Sequence, residues 1–197
     1  MCGRYQVSTE EEIIEIREII NEVNERYKDK PELSSMKTGE IFPTETAPVL
    51  VSHNGESQAQ LMKWGFSRWD SKGVIINARS ETALEKKSLH ASLLNRRCVV
   101  PTTGFYEWQK REGGKTKYLF RLPETKMLYL AGLYEKSPLG DTYVIMTTAA
   151  NPSISVYHDR MPLILTSDIL SQWLMDTDFA LAYTQQPCIA PLVATAV

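Results

Sequence analysis

Apolar residues recur along the chain with two periods, and each period marks a different kind of element. Ile13, Ile16, Ile20, Val23 and Tyr27 follow one another at alternating spacings of three and four, which places them on one face of an α-helix. That face predicts a helix over residues 8–28, opened by a capping box of Ser8 or Thr9 with Glu11 or Glu12 and packed on a sheet. Residues 29–46, rich in Pro, Ser, Thr and Lys, read as loop. Pro48–Ser52 and Gln58–Phe66 then flank Asn54-Gly55, the strongest short hairpin signal. Val74–Ile76 is a short apolar run that stops at Asn77, and Thr82–Leu94 reads as a second helix. Strand-like runs follow at Arg97–Val100, Phe105–Gln109, Lys117–Leu122, Met127–Tyr134 and Thr142–Thr148, with turns at Glu112-Gly113-Gly114 and Leu139-Gly140-Asp141. A last helix spans about Ser167–Met175, with Trp173 on its buried side. Strict βαβ alternation is missing. The pattern predicts one α+β domain over residues 1–197, built on a mostly antiparallel sheet or partly closed barrel with flanking helices.

Composition narrows the function more than the fold. The 197 residues are 43% hydrophobic and 9% aromatic, enough for a real core and unlike disordered or fibrous chains. The 24 acidic and 22 basic side chains leave a net charge of −2, so binding to nucleic acid would have to come from a local basic face. No stretch approaches the roughly 18 apolar residues that span a bilayer. The opening Met1-Cys2-Gly3-Arg4-Tyr5 lacks the apolar run of a secretory signal, which predicts a cytoplasmic protein without membrane contact. Cys2, Cys98 and Cys188 lie far apart and His53, His90 and His158 are scattered, so neither a disulfide framework nor a metal site is expected. Gly113-Gly114-Lys115-Thr116 imitates the end of a phosphate-binding loop, but Gln109 stands where its first glycine belongs. Gly65-Phe66-Ser67-Arg68 likewise begins a nucleophile elbow that Trp69 fails to complete.

Four segments carry chemistry. A small residue at position two permits removal of Met1, which would leave Cys2 with an α-amine of pKa about 7.7–8.0 beside a thiol of pKa about 8.5. An amine condenses with an aldehyde to an imine, and a thiol one carbon pair away then closes a five-membered thiazolidine ring. Asn77-Ala78-Arg79-Ser80-Glu81-Thr82 sits where a strand ends. There either Asn77 and Arg79 grip a ligand, with Arg79 on phosphate, or Ser80 or Asn77 caps a helix. Gly104-Phe105-Tyr106-Glu107-Trp108 sets one carboxylate among aromatics, which would raise its pKa if it faces a pocket; a solvated strand face is the alternative. His158-Asp159-Arg160-Met161-Pro162 places a histidine, able to shuttle protons or to serve structure, in a dense polar cluster. Trp64 and Trp69 are either base-stacking surfaces or core.

Taken in order, Met-Cys-Gly-Arg, Trp64-Gly65, Asn77–Thr82, Arg96-Arg97-Cys98-Val99-Val100-Pro101, Gly104–Trp108, Thr147-Thr148-Ala149 and His158–Pro162 form a specific set. The chain resembles the SRAP (SOS response-associated peptidase) family, whose members shield abasic sites in single-stranded DNA. The resemblance implies a compact α+β domain with a basic groove, no cofactor, and a monomer whose partner is single-stranded DNA bearing abasic sites. It implies that Cys2 attacks the ring-opened sugar and forms a thiazolidine DNA–protein crosslink through lyase-like imine chemistry. By the same resemblance Asn77 positions sugar and amine, Glu107 is the acid–base group and His158 assists proton transfer and reversal. Arg4 and Arg79, with Thr147, hold flanking phosphates, and Arg96, Arg97 and Arg160 are available to the same face. Two other readings stand beside it: a thiol peptidase or autopeptidase using Cys2, His158 and Glu107, and a non-catalytic single-strand binding module.

Overall fold

The computed structural model describes residues 2–11, 13–70 and 72–197, with the backbone alone at Arg111. The first half of the chain forms β1 (Arg4–Val7), α1 (Ile14–Arg26), β2 (Gly39–Ile41), β3 (Thr46–His53) and β4 (Glu56–Trp64). Short strands β5 (Phe66–Ser67), β6 (Val74–Ile75) and β7 (Asn77–Arg79) lead to α2 (Lys87–Asn95) and β8 (Arg97–Thr102). Then come β9 (Gly104–Arg111), β10 (Gly114–Arg121), β11 (Leu128–Glu135) and β12 (Thr142–Ala149). The chain closes with β13 (Arg160–Pro162), β14 (Ile164–Leu165), α3 (Leu170–Met175), α4 (Thr177–Thr184) and β15 (Val193–Ala196).

Local chemistry explains most of these boundaries. Asn54 and Gly55 take φ of 53° and 80°, the pair of positive values that a two-residue turn needs to match strand twist. They join β3 to β4 in a full antiparallel ladder. Helix α1 buries Ile16 and Val23 completely, with Ile19 deeper than the expected Ile20. It begins at Ile14 rather than at residue 8, and no capping box opens it. Ser8 is turned elsewhere, its N–H donating to Thr103 Oγ1 and its hydroxyl accepting from Glu10 N–H. The Glu12 half of the expected box lies outside the described residues. Segment 29–46 holds a 3-10 turn at Pro31–Ser35 and the edge strand β2. The expected helix over Thr82–Leu94 starts only at Lys87, after a 3-10 turn at Ser80–Thr82. Beyond Met175 the chain makes a further helix, because Asp176 accepts from Phe179 N–H and caps α4.

Two sheets share one core. The first runs β15-β10-β9-β1-β2, antiparallel throughout. In the second, β12 pairs with β4 on one edge and β11 on the other, so β12, β4, β3, β8 and β11 return on themselves as a ring. Short β7 and β13 extend the two edges of β12 past β4 and β11. The α+β fold with a partly closed barrel therefore stands. Helices α2 and α3 end together on Arg97, whose guanidinium donates to the carbonyls of Leu93, Leu94, Trp173 and Leu174 at 2.6–3.3 Å. Helix ends leave unpaired carbonyls, and a buried cation satisfies them. Arg97 is thus a structural residue, buried and removed from any basic groove. Arg96 is likewise bonded to Tyr134 O and Ser92 Oγ.

Gly65 fixes the corner after β4. Its φ is +121°, and a Cβ there would lie 2.8 Å from Val74 Cβ. Gly65→Ala is therefore expected to destabilise the protein by about 1–3 kcal/mol, through strain and overlap together. A lower urea midpoint at unchanged m-value would register it.

Candidate active site

The pairing of β1 with β9 and of β7 with β12 draws distant segments to one place. Cys2 lies just before β1 and is fully buried. Its thiol donates to Arg4 O at 3.5 Å, and its own carbonyl accepts from Asn77 Nδ2 at 2.9 Å. Asn77 thereby ties residue 2 to β7. Its Oδ1 is buried without a hydrogen-bond partner among the described residues, an acceptor left over at the site.

Glu107, on β9, is 3% exposed. Burial raises its carboxyl above the ordinary range, and the charge of His158 offsets part of that rise. The Cys2 thiol is pushed up by burial first and by the Glu107 charge second, so it stays protonated at neutral pH. These two groups, a carboxyl raised by burial and a thiol that keeps its proton, define the character of the site.

His158 sits in the loop between β12 and β13. Its Nδ1 lies 3.0 Å from Arg160 N and 2.7 Å from Asp159 Oδ1. The two contacts are alternatives: a neutral ring accepts from the Arg160 N–H, whereas a protonated Nδ1 donates to the Asp159 carboxylate. Either charge state of the ring therefore has a partner.

The expected cations divide into open and committed ones. Arg79 is exposed at the end of β7, beside Thr147 of β12 in register. Arg160 is committed: it grips the Glu81 carboxylate at 2.6 and 2.9 Å and donates to Thr147 O at 2.7 Å. Thr147 itself is fully buried, so its side chain is no open phosphate contact; it helps hold Arg160, whose Nη2 is 3.4 Å from its hydroxyl. Arg4 bonds Glu40 at 2.9 Å and packs over Phe42 and Trp108, 4.4 and 5.0 Å from the ring centroids.

The tryptophans separate cleanly. Trp69 is 94% exposed in the segment between β5 and β6. Trp64 is fully buried and offers no surface to a base. Its Nε1 donates to Ile76 O at 3.0 Å, its ring stacks on Tyr143 at 6.4 Å and meets Tyr5 edge-on at 5.2 Å. The three rings lock β4, β12 and β1 together, with the Tyr5 and Tyr143 hydroxyls bonded to each other. Sequence reasoning passed over Glu40, Lys117, Phe42 and the role of Glu81. Glu40 and Phe42 sat in a segment read as loop, where alternation of Gly39–Ile41 was the sole, short signal.

Among the described residues no three histidine, cysteine or carboxylate groups gather as a metal site would require. Nor is any described helix long and apolar enough to cross a membrane.

The family model "SOS response associated peptidase (SRAP)" matches residues 1–196, and the chain belongs to that family. Among its relatives is the abasic site processing protein YoqW of Bacillus subtilis, 34% identical over 187 residues, covering 88% of this chain and 80% of that one. The abasic site processing protein HMCES of Gallus gallus is 33% identical over 186 residues, covering 73% of this chain and 54% of that one. A crystal structure of a Bacteroides thetaiotaomicron protein shares the fold with a TM-score of 0.79 at 23% identity, covering 100% of this chain and 92% of that chain.

The raised acid has a consequence for stability. Folding favours the protonated form of Glu107, so its ionised form costs stability at neutral pH and that cost vanishes below the ordinary value of 4.5. Glu107→Gln should therefore melt above the wild type at neutral pH, by roughly 2–4 °C for each kcal/mol relieved. The gap should close as the pH falls from the raised value towards 4.5 and be gone below it, which calorimetry across pH would follow.

Proposed function

We propose that the protein processes abasic sites in single-stranded DNA by joining Cys2 covalently to the opened sugar. The observation that carries this reading is the placement of Cys2: buried, held by Asn77, and beside a carboxyl that burial raises above the ordinary range. The names of the relatives, abasic site processing proteins, support the lesion as substrate.

An abasic sugar rests mostly as a closed hemiacetal. Glu107, protonated, donates to the ring oxygen while a proton leaves the anomeric hydroxyl, and the C1′ aldehyde is exposed. The α-amine of Cys2, free once Met1 has been hydrolysed off, adds to C1′ and forms a carbinolamine. Met1 itself lies outside the described residues, so this state of the chain is part of the proposal. Loss of water, with its proton supplied by Glu107 or His158, gives the imine. The thiol then adds across the C=N bond: sulfur bonds C1′, the thiol proton passes to nitrogen, and the thiazolidine closes. One water is lost overall. A protonated thiol suffices for this last step, because ring closure is intramolecular and its effective concentration is high.

The same thiol tells against a peptidase acting on other chains. Thiol peptidases depend on a thiolate, with the pKa brought down to about 3.5–7.5 by a cationic partner. Here burial and the Glu107 charge push the thiol the other way.

The test is intact-mass spectrometry of the protein incubated with a single-stranded oligonucleotide carrying one abasic site. The expected product has the mass of the chain without Met1, plus the oligonucleotide, minus one water. Cys2→Ala should give no stable adduct, and Glu107→Gln should slow adduct formation about 100-fold or more. A processed wild-type chain that binds the oligonucleotide yet never gains its mass would leave the plain binding module as the better reading.

A further inference from the structure

The outer face of the first sheet carries a charge cluster that the chemistry above does not use. Tyr5, Phe105, Glu107 and Tyr118 point inward, so alternation turns Arg4, Tyr106, Trp108 and Lys117 outward, with Glu40 beside them on β2. Lys117 stands directly across from Trp108 and Arg4 across from Tyr106. Both cations converge on one carboxylate. Arg4 Nη1 is 2.9 Å from Glu40 Oε1, and Lys117 Nζ is 2.8 and 2.7 Å from Oε1 and Oε2. Aromatic rings wall the cluster: Phe42 and Trp108 flank Arg4, and Tyr106 lies 4.0 Å from the Lys117 ammonium. Arg4, Glu40 and Lys117 keep 36%, 27% and 23% of their side-chain surface, so the cluster is open to solvent. Arg4 is two residues from Cys2, whose thiol it accepts through its carbonyl.

We propose that Glu40 is an internal stand-in for a DNA phosphate: it occupies Arg4 and Lys117 in the free protein and must yield them when a strand docks beside Cys2. A carboxylate and a phosphodiester offer the same thing to a guanidinium and an ammonium, namely two acceptor oxygens and a negative charge. Burial alone would raise the Glu40 carboxyl, but the hydrogen bonds from Lys117 and Arg4 outweigh it and hold the carboxyl below the usual range. The carboxylate is thus charged whenever DNA arrives, and competes with it. Glu40 sits on an edge strand, so its side chain can swing outward without disturbing the ladder. The effect is selective. Every strand meets the same competitor, but a lesion that reacts with Cys2 is retained covalently, while an intact strand has only its phosphates and leaves. Glu40 is a specificity-determining residue in this scheme. The inference rests on the reading that this face carries single-stranded DNA, and is separate from the reading that Cys2 reacts.

The test measures affinity of the full-length protein for an intact, labelled single-stranded oligonucleotide, which cannot crosslink. Glu40→Gln should bind about 3–10-fold tighter than the wild type, the range expected when two part-exposed ion pairs no longer compete. Its plot of log affinity against log salt should steepen by about 0.7, the amount for one further phosphate neutralised. Glu56→Gln, the same charge change at the far β3–β4 turn, should shift affinity much less, and adding Lys117→Gln to Glu40→Gln should cancel most of the gain. If Glu40→Gln does not fold, Glu40→Thr, well suited to an edge strand, takes its place. Unchanged affinity in a folded Glu40 variant, or a gain no larger than that of Glu56→Gln, would overturn the proposal and make the cluster structural. Absence of binding in every variant would overturn it together with the single-strand reading. A missing adduct on abasic DNA, with the Glu40 effect intact, would reject the crosslinking reading alone.

Discussion

Strand β12 has partners along both edges, and Asn77, Arg79 and Arg160 reach their positions through that pairing. On one edge β4 is followed by β7, which brings Asn77 and Arg79 alongside Ile145 and Thr147. On the other edge β11 is followed by β13, which sets Arg160 against Ala149. The ring also anchors the first sheet, because Tyr143 of β12 and Trp64 of β4 clamp Tyr5 of β1. Cys2 is held at the start of that clamped strand. Central strands with buried faces have strongly specified register, since a slip of one residue would turn every side chain to the wrong face. A slip of β7 by one residue would move Asn77 away from Cys2.

The site is costly to the fold and the surrounding structure offsets the cost. A carboxyl is buried at Glu107 and an acceptor is left unpaired at Asn77. Nearby, cations are neutralised by neighbours rather than left bare: Glu81 holds Arg160 and Glu40 holds Arg4 and Lys117. Arg97 goes further, converting a basic residue into the common cap of two helices. Local acid–base pairing of this sort explains how a chain of net charge −2 carries a site rich in cations.

The strands and α1 were legible because each carries its own period or turn chemistry; Asn54-Gly55 and the run Ile13–Val23 needed no tertiary information. The short strands β7, β13, β14 and β15 were not, since two to four residues give too few positions for a period to show. The second half of the C-terminal helical region was missed as well, because the cap at Asp176 comes after an apparent end. At the site, Cys2, Asn77, Glu107 and His158 were visible as residue types in motifs. Which cations are free was not. Arg97, Arg160 and Trp64 look like surface ligands in sequence, and the partners that commit them, Trp173, Glu81, and Tyr5 with Tyr143, lie more than fifty residues away.

The pairing of β1 with β9 also sets an order of events during synthesis. Residues 4–6 have no sheet partner on that side until residues 104–106 exist, about a hundred residues later. At ribosomal rates of about 5–20 residues per second, that interval is on the order of 5–20 s. Until then β1 has only the three-residue edge strand β2 to pair with, which leaves the segment bearing Cys2 accessible to a co-translational enzyme that trims or modifies it. Once β9 arrives, the same residue is sealed at zero exposure. Whatever must be done to the beginning of this chain from outside is therefore best done while the rest of it is still being made.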